Sequence, residues 1–296
     1  MDVFFSGQLL FAALVLGSAY ALIALGLNLV YGTMRLLNIA HGDIIMIGAY
    51  VAYWLFTLAD VSPLVSMFIA AALAAAIGAA VYYGLFQRQL GSDLMIERIE
   101  ANSLLIFFGV SVVIQNIASF AFTASPRAYQ YMDTVYEFGG ASMTVNRLVT
   151  LIVTLIICFL VIIFLRINIY GLAIKALIQN PVAAAIVGVK IKRVQLVSFC
   201  LGFGLTGLAG VLLSMTEQIS PFMGFPFTIA AFVVIILGGL GNLTGGIAAG
   251  YFLGFLQIYG VALTSPTYES VLLYGVFVLI LLVRPQGFLG GWRMVR

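Results

Sequence analysis

Residues 8–43 read QLLFAALVLGSAYALIALGLNLVYGTMRLLNIAHGD, and the first two thirds of that stretch decide the fold. From Gln8 to Tyr31 there is no Asp, Glu, Lys or Arg. About 20 apolar residues in a helix cross a bilayer, so this run is long enough to span one. It is preceded by Met1 to Gly7, where only Asp2 is charged and no basic start precedes the apolar run, so it reads as a first span and not as a cleaved signal.

The rest of the chain repeats the pattern. Further apolar runs lie near 44–58, 64–86, 103–123, 147–167, 194–216, 227–240, 247–263 and 271–283, separated by polar, Pro- or Gly-marked joints. Of the 296 residues 64% are hydrophobic and 8% charged, with a mean hydropathy of +1.19. Ordinary soluble domains are roughly a quarter charged, so a soluble globular fold is excluded. The expected architecture is an all-α, polytopic membrane bundle of about eight or nine spans, forming a single transmembrane domain over 1–296. The 44–58 and 227–240 runs are short for a crossing and read as tilted, broken or re-entrant helices. No room is left for a soluble domain, so any energy source must be another chain.

Orientation follows from the basic residues, because Lys and Arg in short loops stay on the cytoplasmic side. With nine alternating crossings and the N-terminus outside, the inner joints hold Arg35, Arg88, Arg98, Arg166, Lys175, Lys190, Lys192, Arg193, Arg284, Arg293 and Arg296, and the outer ones only Arg127 and Arg147. That puts eleven of the 13 basic residues inside, with the C-terminus cytoplasmic. The net charge of +3 is dispersed over separate loops, which gives no nucleic-acid surface. Gly238 to Gly246 is glycine-rich but has no lysine to reach a phosphate, so it is no nucleotide loop. Cys158 and Cys200 each lie inside an apolar run and read as inert buried thiols. His41 is the sole histidine and has no ligand cluster around it, so no metal site is expected.

Three sets of residues stand out. Asn38, His41 and Asp43 are polar groups between apolar segments, where such groups must be paired or face water. They are candidates for a gate in a translocation path, against the reading that Asn38 and Asp43 cap helix ends and His41 fills a hydrogen-bonding position. Gly241, Gly245, Gly246, Gly250 and Gly254 suit close helix packing, the last three at four-residue spacing on one face. The joint 168–193, NIYGLAIKALIQNPVAAAIVGVKIKR, could form two short amphipathic helices broken at Asn180-Pro181. Its small residues Ala183 and Ala184 with Gly188 would admit another protein's groove. Physics alone equally allows a surface helix anchored to anionic lipid by Lys190, Lys192 and Arg193.

Several ordered motifs together resemble a known family. They are Gly17-Ser18-Ala19-Tyr20-Ala21-Leu22-Ile23-Ala24-Leu25-Gly26, Tyr31-Gly32, Asn38-Ile39-Ala40-His41-Gly42-Asp43, Gly48-Ala49-Tyr50, Gly204 to Gly210, Gly238 to Gly246 and Arg284-Pro285-Gln286-Gly287. The whole chain is similar to the branched-chain amino acid ABC permease family, in its shorter, LivH-type form. The resemblance implies an importer subunit working with a second homologous permease, two cytoplasmic ATPases that bind the ATP, and a soluble substrate-binding protein, in a bacterial inner membrane. It also implies that Lys175, Pro181, Ala183, Ala184 and Gly188 belong to the loop touching an ATPase, although Val182 stands where that loop usually has glutamate. Urea- and amide-type systems share the pattern. A stand-alone secondary transporter is the alternative from another class. Against it, the spans hold essentially no acid or base for a coupling ion, and no intramembrane nucleophile or acid pair suggests an enzyme.

Overall fold

A computed structural model describes residues 6–87, 99–138, 141–283 and 287. Among the described residues, eight helical segments are long and apolar enough to cross a membrane. In chain order the helices are α1 (Gly7–Met34), α2 (His41–Ala59), α3 (Pro63–Val81, continued by a π turn Tyr82–Phe86), α4 (Ile99–Phe122), α5 (Val145–Ile167), α6 (Ile169–Gln179), α7 (Pro181–Ile186), α8 (Ile191–Ser214), α9 (Gly224–Gly238), α10 (Leu243–Leu263) and α11 (Glu269–Val283). The expected helical bundle is present. Among the described residues a two-stranded antiparallel pair, β1 (Val135–Phe138) with β2 (Ala141–Thr144), precedes α5. Asp2, Arg88, Arg98, Arg284, Arg293 and Arg296, used in the charge count, lie outside the described residues, as do Pro285 and Gln286 of the closing motif.

Helices that are apolar on every side are either core or lipid-facing, and both kinds occur here. α1 is buried without a break from Gly17 to Val30, and α8 is nearly so from Gly202 to Ser214. In contrast α4, α5 and α11 expose Leu105, Phe120, Phe159, Val271 and Leu282, the residues of a bundle perimeter meant for lipid. Close approach at the centre depends on glycine. A Cβ on Gly250 of α10 would lie 2.6 Å from Ala21 N, and one on Gly254 would lie 2.4 Å from Gly17 N, so α1 and α10 run backbone to backbone. Gly48 and Gly210 do the same for α2 and α8.

Two crossings are broken. α1 ends at Arg35, which takes a left-handed φ of 55° while its N–H donates to Tyr31 O at 2.7 Å. Residues 35–40 then turn back into the bundle, with Leu36 and Asn38 fully buried. His41 Nε2 lies 3.0 Å from Ile23 O, eleven residues before the end of α1. At 1.5 Å per residue that is about 16 Å deep, a rise that six extended residues can cover. α2 therefore starts inside the bundle. From the other end, residues 215–223 turn inward after α8, Ile219 pairing with the backbone of Arg127, and α9 starts at Gly224 directly against Gly42. Both helices thus begin N-terminus to N-terminus in the interior. α9 runs out to the end where α1 finishes, Gly241 N–H donating to Asn28 Oδ1. Gly287 also packs there, against Ile236 and Gly239, so Gly7 and Gly287 stand at opposite ends.

Candidate functional site

The interior start of α2 gathers the polar residues of the sequence motif. His41 is buried, and because the Ile23 carbonyl can only accept, Nε2 carries the ring proton. Thr206 Oγ1 of α8 stands 3.3 Å from the same nitrogen and donates to Gly202 O at 2.7 Å. Gly42 N–H donates to Thr228 Oγ1 of α9 at 2.8 Å, joining the two broken crossings where they meet. Asp43 Oδ1 accepts from Gln115 Nε2 of α4 at 2.9 Å, and Ser111 Oγ lies 3.1 Å from that amide.

The capping reading of Asn38 and Asp43 is corrected by this geometry. α2 has no side-chain cap bond; its flanking residue is Ala40. Asp43 reaches across to α4, and its only service to its own helix is a negative charge in the first turn, favourable to the helix dipole. Asp43 is 2% exposed, so the expectation of interior segments without an ionisable group also fails here, because the connection 35–40 carries the acid inward instead of leaving it at a membrane surface. Asn38 is fully buried with neither amide atom paired, and Asp43 Oδ2 is likewise without a partner. A buried polar atom left unpaired is costly, and such atoms concentrate where a protein needs them for something other than stability. Gln115 and Thr228 were not singled out from the sequence. Gln115 stands beside Asn116 and Thr228 is alone in an apolar run, and only the fold brings the first to Asp43 and the second to Gly42.

The 168–193 joint folds as the Asn-Pro break predicts. Asn168 caps α6 through a bond from Tyr170 N–H, and Asn180 Oδ1 accepts from Val182 N–H and Ala183 N–H at 3.0 Å each, with Pro181 in the first turn of α7. Ile174 and Leu177 are buried, and Ile178 presses on Gly32 of α1 and Gly241 of the α9–α10 turn. Ala184 is corrected as a surface residue: at 2% exposure it faces inward. Ala183, Pro181 and Gly188 are exposed and Lys175 is partly buried. Gly188 adopts φ +88° with open space around its Cβ position. The exposed apolar face belongs instead to Val182, Ile186 and Val187, at 68%, 81% and 77% exposure. The four-residue spacing of Val182 and Ile186 after a capping Asn was the available signal.

The glycine set lies at the α1–α10 and α9–α10 contacts. Gly245 faces Gly238 O at 2.0 Å from its Cβ position, Gly246 faces Asn28 Nδ2 at 3.1 Å, and Gly241 has φ +82°. Asn28, buried in α1, locks this turn: Nδ2 donates to Asn242 O and Oδ1 accepts from Gly241 N–H, both at 2.8 Å.

Residues 9–281 match the family model described as branched-chain amino acid transport system / permease component. The chain belongs to that permease family. The permease is 31% identical over 292 residues to the high-affinity branched-chain amino acid transport system permease protein LivH of Escherichia coli strain K12, covering 96% of this chain and 95% of the relative. It is 30% identical over 298 residues to the high-affinity branched-chain amino acid transport system permease protein BraD of Pseudomonas aeruginosa, with the same shares covered. LivM of Escherichia coli K12 is 26% identical, covering 91% of this chain and 67% of LivM. No solved structure matches the chain. It is a multi-pass membrane permease of a transport system, and the broken crossings with their buried polar cluster are the interior of that permease.

Proposed function

We propose that this permease is one of two homologous subunits that together move branched-chain amino acids, leucine, isoleucine and valine, inward across a bacterial inner membrane. Two cytoplasmic ATPases would bind the ATP and a soluble binding protein would deliver the substrate. The permease would carry no cofactor and perform no bond chemistry itself. In this reading the N-terminus lies outside and the C-terminus in the cytoplasm, supported by Arg166, Lys175, Lys190, Lys192 and Arg193 at one end against Arg127 and Arg147 at the other.

The observation that carries the reading is the exposed apolar surface of Val182 and Ile186 on a capped, six-residue helix, with Val187 directly after it, at the basic end. Three exposed aliphatic side chains on and just after a short helix suit a groove in a partner. Movement of that helix would pass through Ile178 to the end of α1 and to the α9–α10 turn. From there it reaches the broken crossings, whose connections 35–40 and 215–223 can act as hinges between two packed states.

The test is Ile186→Asp and Val182→Asp in the complete transporter. Membrane abundance should be unchanged, while ATPase co-purification and ATP-driven leucine uptake are both lost, because a carboxylate entering an apolar groove has no partner. Ile186→Trp tests the lipid-anchor alternative, since an interfacial helix accepts an aromatic residue and a tight groove does not. Wild-type uptake and ATPase retention in Ile186→Asp would sink the coupling assignment. Uptake that needs no ATPase and stops with a protonophore would replace it with a secondary transporter.

A further inference from the structure

At the end of the bundle opposite α7 there is a pocket of about 560 Å³ between the start of α1, the start of α5, the end of α10 and the start of α11. It carries charges of both signs, Arg147 and Glu269, on a mixed wall in which Ser6, Gln8, Ser142 and Gln257 stand beside an apolar side that includes Phe11, Ile258 and Val261. Neither charge hangs on a loose segment. Tyr20 Oη donates to Gln257 Oε1 at 2.6 Å, and Gln257 Nε2 donates to Glu269 Oε1, so a buried tyrosine of α1 orients the acid through α10. Arg147 N–H donates to Asn146 Oδ1 at 2.7 Å, and Asn146 Nδ2 donates to Met215 O at 3.0 Å, fixing the first turn of α5 to the end of α8. The Arg147 charge is also felt by Glu217, whose carboxyl burial pushes above its ordinary range while Arg147 opposes the rise.

We propose that this pocket is an outer reception site for a zwitterionic aliphatic α-amino acid. The substrate ammonium would meet the Glu269 carboxylate, the substrate carboxylate would meet the Arg147 guanidinium, and the aliphatic side chain would lie on Phe11, Ile258 and Val261. A guanidinium matches a carboxylate with two parallel bonds, and polar groups on one side of a pocket with an apolar side opposite fix the orientation of a small molecule that has both kinds of surface. Both charges keep access to water, so the site binds weakly, as a station between binding protein and membrane path must if substrate is to move on. This inference rests on the amino acid permease reading and on its orientation, which makes this end the outer one.

Two measurements test it. In the complete transporter, reconstituted in proteoliposomes, Arg147→Gln and Glu269→Gln should each raise the half-saturating concentration of loaded binding protein for leucine uptake about tenfold. ATPase co-purification should stay normal, and Arg147→Lys and Glu269→Asp should restore most of the loss. In the wild-type permease complex without binding protein, saturation-transfer NMR should show L-leucine bound, while leucinamide, which lacks the carboxylate, and 4-methylpentanoate, which lacks the ammonium, bind at least tenfold more weakly. The ligand comparison needs no variant, so it decides the matter even if a substitution impairs folding. Equal binding of the three compounds, or unchanged uptake in both Gln variants, would overturn the site. If the wild-type transporter drives no leucine uptake with ATP, the permease reading itself fails; normal uptake with indifferent variants removes only the pocket.

Discussion

Replacing Gly48 by alanine adds a single methyl group at the contact on which the interior start of α2 depends. Its Cβ would fall 2.0 Å from Gly207 O and 2.9 Å from Gly207 C, whereas ordinary contact begins near 3.4 Å. The two backbones must therefore separate by about 1.4 Å at that point. Neither side can yield locally, because the obstruction is main chain of α8 and not the tip of a side chain. One turn away Gly210 meets Ile45 O in the same manner, so separation at Gly48 also opens the neighbouring contact. Overpacking a filled interior costs about 1–3 kcal/mol, and an unyielding backbone pair places Gly48→Ala near the upper bound. About 3 kcal/mol corresponds to roughly a hundredfold shift in the folding equilibrium and, for a chain of this length, a melting shift of about 5 °C. The measurement is the thermal profile of detergent-solubilised protein by fluorescence-detected size exclusion, with membrane abundance alongside. Gly109→Ala is the control, an exposed position on α4 with nothing within 4 Å of the added methyl. If the two variants melt together, the α2–α8 contact is not close packed and the described geometry is wrong there.

Asn28→Leu should destabilise the permease by about 1–3 kcal/mol for each of the two bonds it breaks, since Gly241 N–H and Asn242 O lose the side chain that pairs them; a melting curve reads this directly, and an unchanged midpoint would show that the turn does not need the asparagine. Gly188→Ala should cost about 1–2 kcal/mol through its left-handed φ alone, because its Cβ position is open, and Gly188→Asn should recover part of it; equal stability of all three would refute a strained backbone. With Cys158 and Cys200 replaced by alanine, Asp133→Cys should react with an impermeant thiol reagent in intact cells and Lys190→Cys only after permeabilisation; labelling of the second in intact cells would reverse the orientation.

The sequence by itself determined the membrane class and the family. A chain with so few charges cannot form a soluble core, and apolar runs with marked joints can satisfy their backbone in lipid only as helices. Local rules also reached the Asn180-Pro181 break and its caps, because capping involves neighbours in the chain. What only the tertiary structure decided are the relations between distant segments. Asn38 and Asp43 look like caps when their neighbours alone are considered, but the return of residues 35–40 buries Asn38 and carries the start of α2 some 16 Å into the bundle, where Gln115 meets Asp43. Ala184 and Ile186 are both small-to-medium apolar residues of one short helix, and nothing in their chemistry says which one faces the bundle; the seating of α6 through Ile174 and Leu177 turns the first inward and the second out. Arg147 and Glu269 stand 122 positions apart and share a pocket because helix ends converge there. Hydrophobic pattern measures what each residue avoids, and water is the same for all of them; which residues meet is set by the packing of whole helices, which no single run of sequence contains.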